Sequence, residues 1–173
     1  VHLKRKTSRD SVPEVHVFGR RNIPVGGTPR DIWQHRLAAL VIENILVDRG
    51  STSVLFQKLR QAEGLVYDIE CTDDDHTRTV SNWVMGASFD NVGDIARFLK
   101  ILETTVTDPD TLSAERIAMA KRYVSGVMVM QTYGPDELFE RLIEHLPVSN
   151  QILTRDESIQ MYKDLDPDYI RSI

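Results

Sequence analysis

The chain has a single cysteine, Cys71, among its 173 residues, which excludes an internal disulfide and a thiolate zinc centre built from this chain alone. Long apolar runs are missing too. Nothing approaches the roughly 18 consecutive apolar residues that a membrane-spanning helix needs, so no membrane partner is expected. Positive charge is in deficit: 21 Lys and Arg against 26 Asp and Glu leave a net charge of -5. Despite the basic stretches HLKRK at 2–6 and GRR at 19–21, this gives no field for a phosphate backbone, and nucleic acid is not an expected partner. The five histidines, at 2, 16, 35, 76 and 145, include no pair at the four-residue spacing that sets two ligands on one helical face. No self-contained metal site is expected. Nothing near Val1 resembles a signal-peptide core. A soluble chain in a reducing compartment, such as the cytoplasm or an organelle matrix, fits this usage.

What is present is an ordinary globular composition, 41% apolar and 27% charged, long enough for one α+β domain with a substantial core. Residues 12–20, VPEVHVFGR, alternate as a strand does. A helix is predicted after Thr28, with Pro29 at its first position, Asp31 three residues past the cap, and Trp33, Leu37, Leu40, Val41, Asn44 and Ile45 on one stripe to about Val47. A shorter helix carries Leu55, Phe56 and Leu59 inward and ends at Gly64 in the left-handed conformation. LVYDIEC and TVSNWVMGASF alternate around DDDHTR and read as an antiparallel hairpin.

Helices then dominate. One is capped by Asp90 or Asn91, with Ile95, Phe98, Leu99 and Leu102 inward; TDPDT interrupts it. Another follows Ser113, with Ile117, Ala120, Val124 and Val127. DELFERLIEHL and ESIQMYKDL are the last two. The expected fold class is α+β, with helices layered on an antiparallel or mixed sheet. PVSNQ at 147–151 is the only candidate boundary.

Most candidate chemistry has a plain explanation. Asp73, Asp74, Asp75 and His76 lack the glycine and distal glutamate of a calcium loop and read as a solvated hairpin tip. Glu144 and His145 are adjacent and so fall on different helix faces. Cys71 reads as a small buried residue, the glycines at 26 and 27 lack the wider pattern of a phosphate cradle, and Trp33 and Trp83 fall on apolar stripes. Arg60 and Tyr67 remain, on either side of the Gly64 corner. Arg60 falls in the last helical turn, where exposed carbonyls favour a cation by about 0.3 to 1 kcal/mol. Tyr67 alternates with Leu65, Ile69 and Cys71, which predicts a half-buried ring. The functional alternative is a guanidinium and a phenol side by side at the sheet rim, both able to reach a substrate backbone.

The run ILVDRGSTSVLFQKLRQAEGLVYDI, with its Arg then Gly-Leu-x-Tyr, resembles the insulinase, pitrilysin and mitochondrial processing peptidase family of zinc metallopeptidases, and specifically the C-terminal, non-zinc domain. VPEVHVFGRRNIP, NVGDIARFLKILETTV and LSAERIAMAKRYVSGVMVMQTYGPDELFERLI extend the likeness over most of the chain. The resemblance implies a metallopeptidase half-lobe. In it, residues matching Arg60 and Tyr67 bind an extended peptide and help polarise its scissile carbonyl, while zinc and general base come from a partner domain or subunit.

It also implies a homo- or hetero-oligomer. The zinc motif HxxEH is absent, so no self-contained catalytic residue is expected. Val54 stands where many relatives have arginine, and a single glycine stands where they often have two or three. The beginning at Val1, and an end at DPDYIRSI that resembles the start of the family's last helix, lead us to expect a processed chain or a fragment. Two other functions fit the same residues: a non-catalytic scaffold subunit of a complex, as some relatives in respiratory complexes are thought to be, and a module that captures extended peptides without cleaving them.

Overall fold

A computed structural model describes residues 2–6, 14–24, 27–48, 50–74, 80–130, 134, 139 and 153–173, with side chains described over 27–47, 51–71, 84–130, 153–173 and at 134 and 139. Strands β1 (His2–Lys6) and β2 (Glu14–Pro24) come first, then helix α1 (Pro29–Glu43), which continues as a π-helical turn, Asn44–Asp48. A π-helical segment, Phe56–Ala62, leads to β3 (Ile69–Asp74) and β4 (Val80–Phe89). The helices α2 (Ile95–Thr107), α3 (Ala114–Met130), α4 (Arg155–Asp164) and α5 (Pro167–Ser172) complete the described order. The expected α+β class holds, with one addition: β1 forms where the sequence suggested only a basic stretch. Of the expected hairpin tip DDDHTR, Asp73 and Asp74 belong to β3, while residues 75–78, Glu144, His145, the DELFERLIEHL helix apart from Phe139, and the 147–151 boundary lie outside the described residues. So does the side chain of Trp83.

The four strands form one sheet in the order β1-β2-β4-β3. β1 pairs antiparallel with β2 from His2 opposite Phe18 to Lys6 opposite Glu14. β3 and β4 are neighbours joined by five residues, and so short a link permits only an antiparallel pair.

The contacts divide the chain into two compact units. The first holds most of the sheet, the π-helical segment and α2. Leu55 and Leu59 are fully buried there, with Val54, Leu65, Val66, Ile69, Cys71 and Ala87 around them. Phe89 meets Phe98 edge to face at 5.0 Å, the arrangement that ring quadrupoles favour. Phe98 and Thr105 are the buried residues of α2, while Leu99, expected inward, is 39% exposed. The Thr105 hydroxyl accepts from Lys58 Nζ at 3.1 Å, and its carbonyl accepts from the Thr111 hydroxyl at 2.7 Å, so these two buried threonine side chains are satisfied.

The second unit is built on α1, α3, α4 and α5. Helix α1 begins as its sequence predicts. Thr28 N–H donates to Asp31 Oδ2 at 2.7 Å and Asp31 N–H donates to Thr28 Oγ1 at 3.3 Å, a reciprocal cap on the orphan N–H groups. The Thr28 backbone N–H above all, and then its hydroxyl, which also donates to Asp31 Oδ2, hold the Asp31 carboxyl below its usual range. Trp33, Leu37, Val41, Asn44 and Ile45 are buried as the stripe predicts, but Ile32, Ala38, Ala39 and Ile42 are buried as well. A helix enclosed on nearly all sides cannot show a narrow stripe. Thr154 and Glu157 repeat the capping box at α4. Lys121 of α3 donates to the carbonyls of Lys163 and Leu165 at 2.8 and 2.7 Å, tying α3 to the end of α4.

Candidate functional site

The corner from Arg60 to Tyr67 is built from its backbone outward. The segment before it winds as a π-helix, whose ladder closes five residues back instead of four. Its end is closed by Gly64, whose φ of +60 lets the chain reverse without a Cβ penalty. Leu65 N–H donates to Leu59 O at 2.9 Å and Gly64 N–H to Arg60 O at 3.2 Å. This is the nested closure of a glycine-terminated helix, one residue wider because the turns beneath it are wider. Gly64 therefore occupies the structural corner that the sequence assigned to it.

Beyond Gly64 the alternation breaks. Leu65 and Val66 are both buried, Tyr67 and Asp68 are both exposed, and Ile69 is buried again. The cause is on the partner strand. Tyr67 N–H donates to Ser88 O at 3.1 Å, while Ser88 N–H donates to Asp68 O at 3.2 Å, so two residues oppose one. That is the count of a β-bulge, and a bulge re-aims a side chain. The ring of Tyr67 is 69% exposed, not half buried as strand alternation predicted.

The bulge delivers that ring to Arg60. The guanidinium carbon lies 5.3 Å from the Tyr67 centroid and 5.1 Å from that of Phe56, one helical turn earlier. Each such contact at an exposed position is worth about 0.5 to 1 kcal/mol, enough to narrow the range of a side chain that would otherwise wander. The Arg60 guanidinium and the Tyr67 ring are thus neighbours in the structure. Phe56 is a member of the group that the sequence reading placed in the core; its four-residue spacing from Arg60 was the signal for it. Glu63, just before Gly64, accepts a charged hydrogen bond from Arg97 Nη2 of α2.

The corner leads directly into β3, which is an edge strand. The first strand region of the sequence, β2, is paired with β1 over Glu14–Phe18, so that stretch offers no free edge there. Val54, where the resemblance implies an arginine in many relatives, is 6% exposed and belongs to the core.

The arrangement can donate hydrogen bonds. A guanidinium offers five N–H donors and a phenol one O–H, both suited to carbonyl oxygens. Among the described residues no group of three His, Cys, Asp or Glu could hold a metal ion, and the HxxEH motif is absent from the sequence. No helix among the described residues is long and apolar enough to cross a membrane.

No family model and no curated protein matches the sequence. Solved structures do match. The chain is similar to the inactive peptidase domain of a protein described as a zinc protease from Bordetella parapertussis, at TM-score 0.70 and 16% identity, covering 96% of this chain and 87% of that one. It is also similar to an M16-like peptidase from Alicyclobacillus acidocaldarius, at TM-score 0.66 and 14% identity, covering 92% of this chain and 36% of that one. A chain of complex III2 from Candida albicans gives TM-score 0.65 and 14% identity, with 94% of this chain and 40% of that one covered. The fold is therefore that of the M16 inactive domain, as the resemblance to insulinase and the processing peptidases implied. The chain spans little more than a third of the M16-like peptidase.

Proposed function

We propose that this chain, with the fold of an M16 inactive domain, is the substrate-holding half of a zinc metallopeptidase whose metal and general base belong to another domain or subunit. The observation that carries this reading is the exposed Tyr67, turned out by the bulge onto a guanidinium that Phe56 also contacts. Donors fixed before substrate arrives need little reorganisation as charge develops on a carbonyl oxygen. Arg60 binds a carbonyl of an extended peptide, and Tyr67 supports the oxyanion. The free edge of β3 offers backbone groups for strand addition beside them.

The test is peptide cleavage by the assembled native enzyme, with Arg60→Ala and Tyr67→Phe introduced separately. Each is expected to lower kcat/KM by about 2 to 4 kcal/mol of transition-state stabilisation. A loss below tenfold for both overturns the role. A second reading, a non-catalytic subunit of a larger complex, is favoured by the likeness to a chain of complex III2. Zinc content of the native protein with its partners separates the two: about one zinc per assembled unit supports the peptidase, and none supports the scaffold.

A further inference from the structure

In the second unit, α3 and the junction of α4 with α5 border an open groove of about 410 Å³, within the roughly 300–1,000 Å³ of small-molecule sites. Its apolar wall comes from Ile117, Ala118 and Pro167, and its cationic wall from Lys121, Arg122 and Lys163. Among the described residues no carboxylate lines it. The three cations do different things. Lys121 is committed to the carbonyls of Lys163 and Leu165, and burial pushes its ammonium pKa down, with Asp164 and Asp166 opposing that shift. Those two carboxylates are themselves engaged, Asp164 by the Gln160 side chain and Asp166 by the Asp168 backbone N–H, each at 2.9 Å. Arg122 and Lys163 are exposed, and among the described residues neither head group is in an ion pair. Two cations outside any ion pair among the described residues therefore line an apolar trough, on a chain whose net charge is -5.

We propose that this groove binds a small amphiphilic carboxylate, with its aliphatic body against Ile117, Ala118 and Pro167 and its head group between Arg122 and Lys163. Complementarity selects this ligand. An uncharged chain would leave both cations without a partner, an amphiphilic cation would be repelled, and an inorganic anion would leave the apolar wall uncovered. The proposal is independent of the Arg60–Tyr67 site, which belongs to the other unit.

The test is calorimetric titration of the intact polypeptide with decanoate below its micellar concentration, beside decanol and decyltrimethylammonium. One saturable decanoate site is expected, at least tenfold tighter than decanol, with no binding of the cation. The Arg122→Gln/Lys163→Gln double variant, both changes at exposed positions, is expected to erase that preference, and Ala118→Trp to block the trough. Equal affinity for decanoate and decanol, unaltered decanoate affinity in the double variant, or no decanoate binding overturns the proposal. A concentration-dependent dimer that Ala118→Trp abolishes and decanoate leaves intact also overturns it, since the groove would then hold a second copy of the chain.

Discussion

Arg97 donates from Nη2 to Oε2 of Glu63 and so fastens α2 to the residue before the corner glycine. The pair is open to solvent, with side-chain exposures of 58% and 32%, and an ion pair of that kind is worth about 0.2 to 1 kcal/mol. Arg97→Ala is therefore expected to leave the global melting temperature almost unchanged. Its local effect is larger: the amides of Gly64 and Leu65, which close the helix end, should exchange with solvent faster. Amide exchange unchanged at both positions would show that Arg97 does not restrain the corner.

Phe56→Ala removes one of the two rings against the Arg60 guanidinium. The expected cost in stability is small because Phe56 is only half buried, but Arg60 loses about 0.5 to 1 kcal/mol of restraint. In the assembled enzyme, kcat/KM should fall by a few-fold, well short of the loss for Arg60→Ala. Side-chain relaxation at the Arg60 Nε should report greater mobility in the same variant. An Arg60 as ordered as in the parent would mean that Tyr67 alone holds it.

Two glycines with positive φ should respond differently to alanine. At Gly64, with φ +60, a Cβ would meet nothing within 4 Å, so only the left-handed backbone penalty of about 1 to 2 kcal/mol applies. At Gly27, with φ +111, a Cβ would lie 2.5 Å from Asp31 Oδ2, so Gly27→Ala also disrupts the cap of α1. Chemical denaturation should rank Gly27→Ala as the more damaging change. The reverse order would contradict the cap geometry.

Acid sensitivity follows from the two capping carboxylates. The Thr28 backbone N–H, then its hydroxyl, lowers the pKa of Asp31, and Thr154 does the same for Glu157. A carboxyl with a folded-state pKa below its unfolded value contributes stability that is present above the unfolded value and lost as pH falls through the folded one. Between about pH 5 and pH 3 the parent should lose more stability than Glu157→Gln, whose side chain does not titrate there. Equal slopes of melting temperature against pH would remove Glu157 from the acid response.

The features that were legible in the sequence are those set by neighbouring residues. Thr28 and Asp31 form the cap their spacing predicts, Gly64 takes the left-handed conformation, and Asn91 accepts from the Gly93 N–H to start the turn before α2. What escaped depends on distant partners. Tyr67 is exposed because Ser88, on another strand, pairs with two residues, and nothing between Leu65 and Cys71 records that. The burial of Ala38 and Ala39 likewise reflects what surrounds α1, not its own periodicity. Phe56 was misassigned because an aromatic beside two fully buried leucines is usually core, and only the pairing with Arg60 sets it apart.

The π-helical winding of Phe56–Ala62 makes residue count a structural variable. Such a segment is an α-helix that accommodates surplus length without unravelling. Deleting one residue upstream of Arg60 would let the ladder relax to the four-residue spacing and would swing the remaining side chains by about 100° around the axis. The interval from Arg60 to Tyr67 would be untouched, yet the guanidinium would point elsewhere. The pair is thus defined as much by how many residues lie between Leu55 and Arg60 as by the arginine and tyrosine themselves, and a comparison of sequences that tolerates a gap in that stretch would align the two residues while losing their meeting.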